Sequence, residues 1–290
     1  MSPTLNIVTQ NDLIHTRYQD DLLATTPIAD LPNRAEILQK PYIHGPALFQ
    51  ALGSEHLHKL LNADPQKMLY LDIPLGDPAD LIPWECALIS PKIFLVHRFG
   101  LLRLVKWEVA LDDAPAPLRL LALGADALVD KQGRPHDARR LDILGEMRQI
   151  ERTLAASGKA VQGRRIAPTS AALQNALSDS RRTLLHLSGH GSIIQTDSGP
   201  QPVLHLEDEN GGPKKLLGDD LISLTSLADL RLILLSACRS GQDNDGYGGL
   251  ARVLVENGVP AAIGMQGLFP DHLSDDLAAA LYQSLLNGQP

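Results

Sequence analysis

Residues 230–236 form an almost uninterrupted apolar run, broken only by Arg231 before the final serine. Such a run is typical of a parallel strand that is buried on both faces. Residues 118–123 and 183–187 are shorter apolar runs of the same kind, and residues 138–156 between them carry apolar side chains at helical spacing. Strands that alternate with helices predict an α/β fold with a mostly parallel sheet flanked by helices.

The sequence predicts two domains. Residues 112–117 combine two aspartates with two prolines and interrupt the periodic pattern. We therefore expect a smaller N-terminal α/β subdomain over residues 1–115 and a larger domain over residues 118–290. In the first we expect a helix over residues 47–62 and strands over residues 68–75 and 93–97.

Composition excludes several classes of protein. The net charge is −8, which argues against a nucleic-acid partner. Two cysteines without a Cys-x-x-Cys spacing predict neither a disulfide framework nor a zinc site. No segment has the length and hydropathy of a membrane span or a secretory signal, so we expect a cytoplasmic protein without a membrane partner. No phosphate-binding glycine motif occurs, and we expect no cofactor.

Reactive residues follow two of the predicted strands. His190 lies between two glycines after residues 183–187, and Cys238 comes directly after residues 230–236. We expect both in loops at the carboxyl edge of the sheet, where ligands bind in such folds. A histidine about 50 residues upstream of a cysteine is also the order found in caspases. The pair predicts a nucleophilic thiol with an imidazole base, although a free cysteine is more often inert packing, as we expect for Cys86.

At these residues the chain resembles the CHAT domain, a caspase-like and separase-like cysteine peptidase family of clan CD. The resemblance runs from about residue 45 to the end of the chain. The segments that carry it are residues 82–85, with their Pro-Trp-Glu element, and residues 184–191, 234–241, 249–251 and 259–264.

The resemblance implies a cysteine endopeptidase that cleaves a protein at limited sites and is regulated by a partner or an attached domain. It assigns His190 as general base and Cys238 as nucleophile, with the backbone amides of Gly191 and Cys238 as oxyanion donors. It requires no third, orienting carboxylate, and the sequence alone names none. The alternative is a catalytically inactive caspase-like scaffold.

Acidic residues near the two motifs bear on the substrate. Asp243 and Asp245 follow the cysteine, and Glu207 lies between the motifs. Carboxylates in a substrate pocket favour a basic residue before the scissile bond, whereas Arg239 favours an acidic one. We expect a weak preference for a basic residue, with an ordinary solvated acidic loop as the alternative.

Three further expectations concern the rest of the chain. Trp84 either has a structural role, which we favour, or lines the substrate groove. Arg148 and Arg152 share a helix face that either docks an acidic partner or is ordinary solvated surface, which we favour. Members of the family usually continue beyond the helix that ends near Leu286, so truncation at the C-terminus is one expectation, and the family's distribution implies a bacterial source.

Overall fold

The structure is a computed structural model that describes residues 3–63, 68–74, 76–98, 100–105, 118–126, 141–179, 182–197, 199–225, 229–237, 249–265 and 271–288. The contacts divide the chain into two compact units, Met1–Lys106 with Pro290 and Trp107–Gln289. The expected boundary over residues 112–117 lies outside the described residues. No helix in the described ranges has the length and apolar character that a membrane crossing needs.

The first unit contains strands and helices in mixed order. They are β1 (Thr4–Gln10), β2 (Leu13–Tyr18), β3 (Asp21–Pro27), α1 (Arg34–Gln39), α2 (Pro41–Ala51), α3 (Ser54–Ala63), β4 (Met68–Asp72), β5 (Leu88–Ser90), β6 (Ile93–Phe94) and β7 (Gly100–Leu104). Five of the strands form one sheet in the order β3-β2-β1-β4-β7, while β5 and β6 pair separately.

Trp84 lies at the centre of the core of the first unit. Its side chain is fully buried, and its Nε1–H donates to the carbonyl oxygen of Ala79 at 2.8 Å. Glu85 beside it forms an ion pair with Arg103, whose Nε lies 2.9 Å from Glu85 Oε1. Burial raises the pKa of Glu85, but the charge and hydrogen bonds of Arg103 outweigh it and hold that pKa below its usual value. Trp84 therefore has the structural role that we favour.

The second unit alternates strands with helices. Its elements are β8 (Arg119–Gly124), α4 (Ile143–Ala156), β9 (Gln162–Ile166), α5 (Ser170–Leu177), β10 (Thr183–Thr196), β11 (Gly199–Glu207), β12 (Pro213–Leu217), α6 (Gly218–Thr225), β13 (Leu230–Ala237), α7 (Leu250–Glu256), β14 (Ala262–Gly264) and α8 (Ser274–Leu286).

A parallel sheet with the strand order β9-β8-β10-β13-β14 forms the centre of this unit. The far end of β10 leaves it and pairs antiparallel with β11, which pairs in turn with β12. The predicted α/β fold, with a mostly parallel sheet flanked by helices, is confirmed.

The central strands bury both faces, as the apolar runs predict. On β13, Ile233 and Leu235 belong to one core cluster, which also contains residues of α5, α6 and α7. Leu232 and Leu234 point to the other face, into a cluster with residues of α4 and α8. Successive side chains of a strand alternate between faces, so a strand covered on both sides needs apolar residues at nearly every position.

Several expected element bounds are corrected. The expected helix over residues 47–62 is two helices, α2 and α3, because Gly53 between them has a φ of +84°, which ends α2. The predicted strand over residues 93–97 includes only β6, followed by a 3₁₀ turn.

Candidate active site

The segment that carries His190 is part of a strand. We predicted a loop over residues 188–191, and this prediction is wrong, because β10 continues through these residues to Thr196. Up to Gly189 the strand pairs with β13, and from His190 onward it pairs with β11. Hydrogen bonding to a new partner strand keeps the backbone extended where we expected a turn.

Gly189 lies at this change of partner strand. A Cβ atom there would lie 3.1 Å from the carbonyl oxygen of Ala125 and 3.4 Å from that of His205. Contacts this short with backbone atoms leave little room for a side chain, so the glycine allows the backbones to approach closely. The two glycines around His190 were expected to permit a turn, whereas Gly189 permits tight packing of strands.

The His190 side chain is 40% exposed and faces a carboxylate. Its Nε2 atom lies 3.4 Å from Oδ1 of Asp126, whose side chain is 16% exposed. This is an ion-pair distance, and within the described residues His190 Nε2 makes no hydrogen bond.

Asp126 is held in place by two other segments. Its backbone N–H donates to Oε1 of Glu207 at 3.0 Å, and its Oδ2 accepts from the backbone N–H of Leu141 at 3.4 Å. The preceding residue, Ala125, donates its N–H to the carbonyl oxygen of Ser188 on β10 at 2.9 Å. These three hydrogen bonds hold Asp126 in place, so its carboxylate stays beside His190.

Asp126 is the residue that sequence analysis missed. The available signal was its place just after the apolar run over residues 118–123, because β8 and β10 are parallel neighbours and their carboxyl ends lie at one edge of the sheet. We predicted that Glu207 binds substrate. Its carboxylate accepts a hydrogen bond from the backbone N–H of Asp126, and its role in substrate binding stays a prediction.

Cys238 lies outside the described residues, as do Arg239, Asp243 and Asp245. The strand that leads to it is described, and in the parallel pairing of β10 with β13 Ala237 is the partner of Gly189. The next residue along the chain from Gly189 is His190, and the next from Ala237 is Cys238. The pairing therefore continues up to the residue before each member of the expected dyad.

A second histidine lies across from the first. His205 is the β11 partner of His190, and its Nε2 lies 2.7 Å from the Ser192 hydroxyl oxygen. Burial lowers the pKa of His205, and the charges of His190 and Lys215 lower it further. A neutral His205 adds no positive charge beside His190. Gly191, whose amide we predicted as an oxyanion donor, is the partner of Leu204 in the same strand pair.

A comparison with models of protein families identifies the family of the chain. The model of the CHAT domain matches residues 43–290. The chain belongs to the CHAT domain family. CHAT is a caspase-like, protease-related family, so the resemblance drawn from the sequence motifs is confirmed. A comparison with curated proteins gave no match.

The other cysteine of this CHAT chain is Cys86, which lies in the first unit. Cys86 is half-buried and packs against the core of the first unit. Burial and the charge of Glu85 raise the pKa of its thiol to about 11.

We expect Cys86 to react slowly with iodoacetamide at neutral pH, because only the thiolate is nucleophilic. With a pKa of about 11, about one Cys86 thiol in a thousand is ionised at pH 8. Mass-spectrometric mapping of the alkylated peptide as a function of pH measures this, with free cysteine as the control. A Cys86 rate that levels off below pH 9 would contradict the assignment.

Proposed function

We propose that the chain is a cysteine endopeptidase in which His190 is the general base and Cys238 is the nucleophile. The observation that carries the proposal is the pairing of Gly189 with Ala237 on neighbouring parallel strands, one residue before each of these side chains. The ion-pair contact between His190 and Asp126 supports it, because an imidazole base needs a fixed orientation.

The reaction consists of two acyl transfers. The Cys238 thiol gives its proton to His190, and the thiolate attacks the peptide carbonyl carbon to form a carbon–sulfur bond. The peptide C–N bond then breaks, and the imidazolium returns the proton to the leaving amine. A water molecule, deprotonated by His190, hydrolyses the thioester, which releases the acid and restores the thiol. The backbone amides of Gly191 and Cys238 are the proposed donors to the oxyanion.

Asp126 is proposed to position His190. Its carboxylate faces Nε2, which leaves Nδ1 as the ring nitrogen that exchanges a proton with the thiol. A ring held in one orientation presents Nδ1 for this proton transfer without a search over side-chain rotamers.

An acyloxymethyl ketone peptide tests the dyad, because its covalent capture requires a nucleophilic thiolate. We expect the wild-type chain to be labelled at Cys238 and the Cys238→Ala variant not to be labelled. Cys86→Ala is the matched control, since it removes the other thiol and should leave labelling unchanged. Labelling that persists in Cys238→Ala would refute the nucleophile, and a folded wild-type chain that is not labelled would favour the inactive scaffold.

The proposed substrate is a protein with a basic residue before the scissile bond. Asp243, Asp245 and Glu207 support this preference by their charge, while Arg239 opposes it. Labelling rates with three probes that carry Arg, Asp or Leu at that position measure it. We expect the Arg probe to react fastest, and exclusive reaction with the Asp probe would reverse the assignment. Regulation by a partner or an attached domain is also proposed, as expected from the family.

A further inference from the structure

A polar cluster, buried except for the partly exposed Ser236, lies within the second unit. Its members are Glu146 on α4, His186 and Ser188 on β10, Ser236 on β13 and Tyr282 on α8. Glu146 is 2% exposed, and His186, Ser188 and Tyr282 are also buried. Apolar side chains such as Met147, Ile150 and Leu234 form the rest of this layer. The dyad chemistry proposed above does not use this cluster.

The carboxylate of Glu146 is the centre of the cluster. Its Oε1 lies 3.1 Å from Nε2 of His186, and its Oε2 accepts a short hydrogen bond from the Ser188 hydroxyl. Ser236, the β13 partner of Ser188, lies on the same face of the sheet, and its hydroxyl also favours the charged form of this carboxylate. The remaining ring nitrogen of His186, Nδ1, lies 2.9 Å from the Tyr282 hydroxyl oxygen. The carboxylate therefore has partners on both central strands.

Burial raises the pKa of Glu146, but the hydrogen bonds and charge of His186 and the hydrogen bonds of Ser188 and Ser236 outweigh it, so the pKa lies below its usual value. The group is thus a carboxylate at neutral pH. Burying such a charge costs several kcal/mol before its partners compensate, and apolar side chains of similar volume often stabilise a core at least as well. A contribution to stability therefore does not by itself explain why a carboxylate is buried at this position.

The two serines lie on neighbouring strands, and each is the same number of residues away from one member of the expected dyad. Ser188 and Ser236 are partners in the pairing of β10 with β13. Each lies two residues before a dyad member, His190 in one case and Cys238 in the other. Two residues of a strand span about 7 Å. One carboxylate thus interacts with both strands, through a hydrogen bond from Ser188 and through the nearby Ser236 hydroxyl, just before each strand continues to a member of the dyad.

We propose that Glu146 is a positioning residue whose carboxylate, held by Ser188 and Ser236, fixes the relative placement of His190 and Cys238. We call these three residues the carboxylate bridge. The proposal rests on the proposed dyad. Without the bridge, the ends of β10 and β13 gain freedom relative to each other, and the imidazole and the thiol meet less often in the productive geometry.

The test measures the rate constant of iodoacetamide alkylation at Cys238 across pH, with peptide mapping to separate it from Cys86. We expect Ser236→Ala to lower the rate constant at pH 7 by about tenfold and to shift the midpoint of the pH profile upward, because misplaced partners stabilise the thiolate less. Glu146→Gln should have the same effect or a larger one. Ser236→Ala removes only a hydroxyl group, so it still tests the proposal if the Glu146→Gln variant does not fold.

Tyr282→Phe is the matched control. It removes the hydrogen bond between the Tyr282 hydroxyl and His186 Nδ1 and alters none of the three residues of the carboxylate bridge. We expect it to lower the melting temperature while leaving the alkylation rate and the pH midpoint of the folded protein unchanged. Equal effects of Ser236→Ala and Tyr282→Phe on the pH profile would overturn the positioning role.

A parallel measurement on His190→Ala separates this proposal from the proposed function. If His190→Ala lowers the rate and shifts the midpoint but Ser236→Ala does neither, only the carboxylate bridge is overturned. If His190→Ala leaves the alkylation profile of Cys238 unchanged, the dyad is refuted, and the positioning proposal is refuted with it.

Discussion

The Asp126→Asn variant is expected to alkylate Cys238 about 20-fold more slowly than the wild-type chain at pH 7, because a thiol with an ordinary pKa near 8.5 is still about 3% ionised there and the loss cannot exceed about 30-fold. The substitution keeps the size of the side chain but removes the negative charge 3.4 Å from His190 Nε2. The His190 ring loses the carboxylate that holds it, so it is less often placed to take the proton of the thiol. The midpoint of the pH profile should rise toward about 8.5, the value of an unperturbed thiol.

Glu209→Gln is the control for charge in this experiment. Glu209 lies on the exposed turn after β11, so the variant loses one negative charge without a change beside His190. We expect its alkylation profile to match the wild type. The rate constant of iodoacetamide alkylation at each pH, mapped to Cys238 by mass spectrometry, measures both variants. An Asp126→Asn profile identical to the wild type would show that the carboxylate does not act through His190.

Trp84→Ala is expected to destabilise the first unit by about 3–5 kcal/mol, the usual cost of removing a fully buried aromatic side chain. The indole is fully buried in the core of this unit, and its Nε1–H donates to Ala79. Truncation leaves a cavity and removes one of the two hydrogen bonds that the Ala79 carbonyl oxygen accepts, the other being donated by the Ile82 N–H. Unfolding in guanidinium, followed by circular dichroism, measures the change, with separate transitions fitted if the two units unfold separately.

Trp84→Phe separates packing from hydrogen bonding. It retains an aromatic ring and loses the donor to Ala79, so we expect a cost of about 1–2 kcal/mol. If both variants cost less than about 1 kcal/mol, Trp84 is not the core residue that its burial indicates. A loss of labelling at Cys238 with no change in stability would instead favour the substrate-groove alternative.

Much of the fold follows from local sequence. The apolar run over residues 230–236 predicts β13 because a strand covered on both faces leaves no position for a polar side chain to reach water. The helical spacing of apolar residues over residues 138–156 predicts an amphipathic helix, because such a helix buries only one of its faces. Element bounds were less accurate where one backbone angle decides them, as at Gly53, whose positive φ ends α2.

The sequence by itself determined the α/β class, the family and the two side chains of the proposed dyad, since apolar periodicity and a glycine-flanked histidine are local patterns. The tertiary structure alone decided which residues surround His190. Asp126 and Glu207 are far from it in the chain and meet at one edge of the sheet because β8, β10 and β11 are paired. Glu146 likewise contacts both central strands only after α4 packs on them, and no local pattern specifies such long-range contacts.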